Sequence, residues 1–182
     1  MSETISPTFI ITSCIQTDAV DRIRSYHINH LCTHRDRFPI IESMFTYTRK
    51  AQYHETDQMG IIHHSNYVRW MEEARIAFME SLGFGYDKVE SLGILSPVAG
   101  ISVTYKSPVH FNDTVEISVS LTRYSGVIQE IAYTITNITT GELSATATSK
   151  HCYLKDGKII NLKHALPELD ALFAAQLEDS AR

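Results

Sequence analysis

The sequence predicts an α+β fold in which one curved antiparallel sheet wraps around a long central helix. Three observations carry that expectation. Apolar side chains recur at three- and four-residue steps through Tyr67, Trp70, Met71, Ala74, Phe78 and Leu82, the stripe of an amphipathic helix. Four later runs alternate apolar and polar residues with period two, the mark of half-buried strands. Turn-forming pairs connect these runs, so consecutive strands are expected to pair as antiparallel hairpins.

Size and charge narrow the function classes. The chain has 182 residues, with 43% hydrophobic and 20% charged, enough for one compact domain with an ample core. Sixteen basic residues against 21 acidic give a formal net charge of -5, which supplies no field for binding nucleic acid or anionic membranes. The longest apolar runs, such as Phe9-Ile10-Ile11, fall far short of the roughly 20 residues that span a bilayer, so no membrane insertion is expected. Cys14, Cys32 and Cys152 are odd in number and widely spaced, which fits a reducing compartment better than a disulfide scaffold. Glu3 stands where a secretory signal would carry a positive charge, and a cytoplasmic protein is expected.

Residues 1–43 show no sustained period and read as an irregular arm; Met44 is a candidate for the true start. Residues 44–182 have the size of one α+β domain. Within it, 44–53 reads as a strand and Asp57–His63 as a loop. Ser65 or Asn66 is expected to cap the long helix, and Gly83 to end it. After a loop to Pro97 come Ile101, Val103 and Tyr105 on one strand face. Val115 to Leu121, Ile131 to Ile135 and Leu143 to Ala147 follow. Ser125-Gly126, Thr140-Gly141 and the type I′ candidate Asp156-Gly157 mark turns, and Pro167–Leu177 a short terminal helix. A sheet face left bare would expect a partner subunit.

The densest chemistry lies between Tyr53 and Arg75, in YHETDQMGIIHHSNYVRWMEEAR, where a strand hands over to the long helix. The first turn of a helix has unpaired N–H groups and the positive end of its dipole, so it can stabilise an oxyanion forming on a bound carbonyl. Asp57 lies ahead of that turn and His64 at it, with Gly60 between them to let backbone approach a ligand. A carboxylate facing such donors makes a hydrolytic site. By residues alone, a structural role remains open, with Asp57 steadying its own turn and His64 lying near a cap.

The TD-x-x-G-x-x-x-H-x-x-Y core and the W-x-E-x-A-R helix closely resemble the 4-hydroxybenzoyl-CoA thioesterase family of hotdog-fold acyl-CoA thioesterases. The nearest likeness is to its short- to medium-chain subgroup, which includes the Tol-Pal-associated enzymes. The match runs over residues 44–182 and includes the later strand segment VAGISVTYKSPVHFNDTVEISV. The resemblance implies hydrolysis of a short- to medium-chain or aromatic acyl-CoA, with Asp57 as nucleophile or general base. Tyr53 and His64 match the tyrosine and histidine that accompany it, and the backbone N–H of His64 falls where the family polarises the thioester carbonyl. Gly60, His63, Ser65, Asn66 and Met59 fall along the substrate's path. His63 and Met59 depart from the family pattern, an aromatic and a small residue respectively, so chain-length preference does not carry over.

The resemblance also implies a homodimer with sheets side by side and the active sites at the interface, often within a homotetramer. It implies no metal and no cofactor beyond the coenzyme A of the substrate, with acyl carrier protein as an alternative carrier. A thioester needs no serine nucleophile, and the chain has no G-x-S-x-G motif. A hotdog hydratase or dehydratase, and a non-catalytic module binding acyl-CoA or acyl carrier protein, are the alternatives. His27, His30, Cys32 and His34 cluster without the spacing of a standard zinc site. Glu72, Glu73 and Arg75 read as a solvated helix face or a subunit contact, and Lys106 and Arg123 as solvated strand ends or phosphate contacts.

Overall fold

The computed structural model describes residues 44–179. The segment 1–43, with Cys14, Cys32 and the His27, His30, His34 cluster, lies outside the described residues. Strand β1 (Phe45–Lys50) alternates half-buried Phe45, Tyr47 and Arg49 with exposed Thr46, Thr48 and Lys50. It stops at Lys50, short of the expected 44–53 span, because Gln52 and Glu55 close a capping box that winds Tyr53–Glu55 into one 3-10 turn.

Helix α1 (His64–Ser81) buries Tyr67, Trp70, Met71, Ala74, Phe78 and Met79. Its cap differs from the expected Ser65 or Asn66. His63 takes that place, and its Nδ1 accepts from the Ser65 N–H at 3.4 Å while meeting the Ser65 hydroxyl at 2.8 Å. An imidazole nitrogen here does what a hydroxyl or carboxylate oxygen usually does. At the other end Gly83, with φ +77°, closes the helix as expected. The Phe84 N–H reaches Met79 O and the Gly83 N–H reaches Glu80 O, the two crossed bonds of a Schellman motif.

After α2 (Tyr86–Ser91) and the short β2 (Ile94–Leu95) come β3 (Val98–Tyr105), β4 (Thr114–Tyr124), β5 (Ile128–Asn137) and β6 (Glu142–Cys152). The five-stranded sheet has the order β1-β4-β5-β6-β3. Hairpins join β4 to β5 and β5 to β6, as the Ser125-Gly126 and Thr140-Gly141 pairs predict. The pairing of consecutive strands fails between β3 and β4. Residues 106–113 carry the chain to the opposite side of the sheet, so β3 pairs with β6 and β4 takes β1 as its other neighbour. A second sheet holds β2 with β7 (Leu154–Lys155) and β8 (Lys158–Ile159). Asp156 and Gly157 turn between the last two with φ +51° and +73°. The chain continues through α3 (Leu162–Ala165) to α4 (Pro167–Asp179), the expected terminal helix.

The core lies between α1 and the inner sheet face, where Val115, Ile117, Val119, Ile131, Tyr133, Ile135 and Ala145 meet the helix stripe. Burying such side chains stabilises by about 1.5–3 kcal/mol each before conformational entropy is counted. The opposite face is hydroxylated: registers place Thr46, Ser118, Thr134, Thr146 and Thr104 in one row across all five strands. Among the described residues, no helix is long and apolar enough to cross a membrane.

Candidate active site

The loop between β1 and α1 is built around Glu55, which is 5% exposed. Its Oε1 accepts from Arg49 Nη2 at 2.7 Å and from the Trp70 indole N–H at 2.8 Å, and its Oε2 accepts from the Gln52 N–H at 2.7 Å. Its backbone carbonyl accepts from the His63 N–H and the Asn66 amide, both at 2.8 Å. Arg49 lies over the Trp70 ring and also reaches Glu73, at 2.8 Å. Five partners thus tie the loop to strand and helix together, and this carboxylate is consumed by structure. Sequence reasoning passed over it; the Gln52-x-x-Glu55 capping box was the available signal.

Asp57, two residues on, is placed differently. Its Oδ1 accepts only the Met59 N–H, at 2.8 Å, within a turn closed by Asp57 N–H to Ile61 O at 2.9 Å and Gly60 N–H to Asp57 O at 3.0 Å. Gly60 holds φ +75° there, a conformation that a side chain would strain. Asp57 lines an adjoining cleft of about 620 Å³. One wall of the cleft is the loop, through His54, Glu55, Thr56, Asp57 and Gln58; the other is the helix start, through His63, Ser65, Asn66 and Arg69.

Of the residues singled out from sequence, Asp57, His63, Ser65 and Asn66 line this cleft. Met59 is exposed at the tip of the turn, and Tyr53 is three-quarters exposed with its ring edge-on to Phe111 at 5.5 Å, outside the cleft walls. The ring of His64 stacks on that of His63 at 4.1 Å, and its carbonyl accepts from the Tyr105 hydroxyl at 3.0 Å. At the helix start the Asn66 N–H is bonded to His63 O and the Ser65 N–H to His63 Nδ1. The His64 N–H is the orphan donor that remains. Burial pushes the Tyr67 phenol up to about 12, so it stays protonated beside the site.

The far half of α1 holds a second polar group, sealed from solvent. Arg75 is 4% exposed, which overturns its reading as part of a solvated face. Its guanidinium lies 5.0 Å over the Tyr86 ring, and that aromatic face stands where water would otherwise be. Nearby His151 is buried and meets the Ser149 hydroxyl at 2.8 Å, which in turn meets Tyr133 at 3.0 Å. Burial and then the Arg75 charge pull the His151 pKa down to about 4. Glu73 is paired with Arg49 and Tyr47, while Arg123 is an exposed strand-end residue paired with Glu130 at 3.3 Å.

Comparison with known proteins bears on the family and the fold. Residues 51–177 match the model of the Thioesterase-like superfamily. A Bacillus subtilis protein provisionally named acyl-CoA thioesterase YneP is 42% identical over 121 residues, 65% of this chain and 87% of that protein. The acyl-CoA thioester hydrolase YbgC of Escherichia coli is 25% identical over 84 residues, 46% of this chain and 63% of that one. The crystal structure of a DHNA-CoA thioesterase from Staphylococcus aureus superposes with a TM-score of 0.71 at 31% identity, covering 75% of this chain and 94% of that one. The sheet wrapped on one helix is therefore the hotdog fold, and the chain belongs to the Thioesterase-like superfamily.

Proposed function

We propose that the protein hydrolyses acyl-CoA thioesters to a free acid and coenzyme A, with Asp57 acting on the thioester carbonyl. The observation that carries this reading is that the Asp57 carboxylate and the first turn of α1 face one cleft. As general base, Asp57 takes a proton from water as its oxygen attacks the carbonyl carbon; as nucleophile, it attacks first and water cleaves the resulting anhydride. In either route the carbonyl oxygen becomes an oxyanion, which the His64 N–H and the helix dipole stabilise. Collapse breaks the C–S bond, and the departing thiolate takes up the proton. No metal or organic cofactor enters these steps.

In this reading the site is completed by a second subunit. Strand β3 is a sheet edge whose residues are almost all exposed, with Val98 53% and Ile101 42% exposed. An apolar edge of this kind invites strand pairing. Tyr105 at its end bonds to His64, so two sheets joined through β3 would bring each partner beside the other's cleft. A dimer of this type, alone or doubled into a tetramer, is the proposed assembly. The short- to medium-chain subgroup, with aromatic acyl groups included, is the proposed substrate range, on CoA or acyl carrier protein. A cytoplasmic setting is the proposed location, from the odd number and wide spacing of the cysteines in the sequence.

The test is release of free thiol from short, long and aromatic acyl-CoAs by the wild type and by Asp57→Asn. The expected result is turnover that falls about 10²- to 10⁴-fold in the variant. Ligand binding without turnover on any thioester would favour a binding module, and an unaffected variant would remove Asp57 from the chemistry.

A further inference from the structure

The wall of the cleft opposite Asp57 has a chemistry of its own. The nine residues that line the cleft as a whole include no Val, Leu, Ile, Met, Phe, Tyr or Trp. An unsubstituted alkyl chain would gain little there, because apolar burial needs apolar walls. Two lining residues carry full charges that are not already consumed. Glu55 is bound up with Arg49, Trp70 and Gln52, which leaves the Asp57 carboxylate and the Arg69 guanidinium.

Arg69 stands apart from the other arginines among the described residues. Arg49 is held by two carboxylates, Arg123 by Glu130, and Arg75 is buried over Tyr86. Arg69 is exposed, and its contact is one Nη1 bond to Asn66 Oδ1 at 3.4 Å, longer than an ordinary hydrogen bond. A guanidinium presents five donors in a rigid fork that matches a carboxylate in bidentate fashion. Its Asn66 neighbour is itself fixed, through the amide bond to Glu55 O, so the base of the arginine is set by the same loop that sets Asp57.

We infer that Arg69 is a specificity-determining residue that binds an anionic oxygen on the acyl group, so that the cleft favours acyl-CoAs ending in a carboxylate over alkyl ones of equal length. This rests on the thioesterase reading. The thioester carbon must sit at Asp57, and Arg69 lines the same cleft. The phosphates of coenzyme A are separated from that carbon by the whole pantetheine arm, which makes the acyl end the nearer source of an anion.

The experiment compares kcat/KM for hexanoyl-CoA and adipoyl-CoA, which differ by one terminal carboxylate. The proteins are wild type, Arg69→Met and Arg69→Lys, and the N-acetylcysteamine thioesters of the same acids serve as phosphate-free controls. The expected result is a wild-type preference for adipoyl that falls roughly 10- to 100-fold in Arg69→Met on both carriers, with Arg69→Lys intermediate. Three results would overturn it: a wild type that favours hexanoyl, an Arg69→Met loss equal for both acids on CoA but absent on N-acetylcysteamine, or an equal loss on every thioester. The second would assign Arg69 to the coenzyme phosphates and the third to site geometry. In all three the wild type still hydrolyses thioesters, so the thioesterase reading survives; absence of turnover on every thioester would remove both.

Discussion

Glu55 and Asp57 are two carboxylates two residues apart with opposite fates. Glu55 is buried with its oxygens bonded to a guanidinium, an indole and a backbone amide, while Asp57 lines an open cleft with one backbone N–H bonded to its side chain. The pair of arginines on α1 repeats the contrast: Arg75 is sealed beneath Tyr86, and Arg69 faces the cleft almost unbonded. Polar groups buried in the fold are closed to a ligand, and those that line the cleft with few partners are available to one. Residue type alone does not distinguish them; burial does.

Substitution can test that division, beginning with the largest effect. Asp57→Asn should cost the 10²- to 10⁴-fold in turnover given above and leave thermal stability within about 0.5 kcal/mol, because Asn Oδ1 can still accept the Met59 N–H. Differential scanning calorimetry beside the thiol assay checks both halves. Glu55→Ala should do the reverse first: a loss of about 3–5 kcal/mol in urea unfolding, since Arg49 and Trp70 lose their acceptor. If the Glu55 variant unfolds like the wild type but loses turnover, the two roles have been exchanged.

The smallest effect belongs to the sealed end of the helix. His151 has its pKa lowered to about 4, so the folded protein resists a proton that the unfolded chain accepts near 6.5. Stability is therefore full above pH 6.5 and declines as pH falls toward 4, by at most about 3 kcal/mol from this group. His151→Gln should flatten that decline in unfolding free energies measured from pH 7 to pH 4. A slope unchanged by the substitution would assign the acid sensitivity to other groups.

Much of this architecture is legible in the sequence because it is local. The α1 stripe, its Gly83 stop, and the glycine turns of the β4-β5-β6 meander depend on residues within a few positions of one another. The pairing of β3 with β6 is not legible, since period-two alternation names a strand's buried face and not its neighbour. The solvated-face expectation fails at Arg75 because a charge in a helical pattern defaults to the solvent face, and only its burial against Tyr86 shows otherwise. Of the residues lining the cleft, Asp57, His63, Ser65 and Asn66 are reached through the family resemblance. Arg69 is not, because its environment arises only when the loop folds back against the helix.

The position of β1 has a kinetic consequence. The three central strands join through short turns, whereas β1 reaches β4 only after α1, α2, β2 and β3 have intervened, with Phe45 opposite Val119. Closing that long loop costs more chain entropy than closing a hairpin, so the meander should assemble early and β1 should dock late. The loop bearing Glu55 and Asp57 lies between β1 and α1, and the candidate site would be the last region to mature and the first to open. Native-state hydrogen exchange should show amides of β1 and residues 52–63 opening at lower free energy than those of β5, and uniform protection would contradict this order.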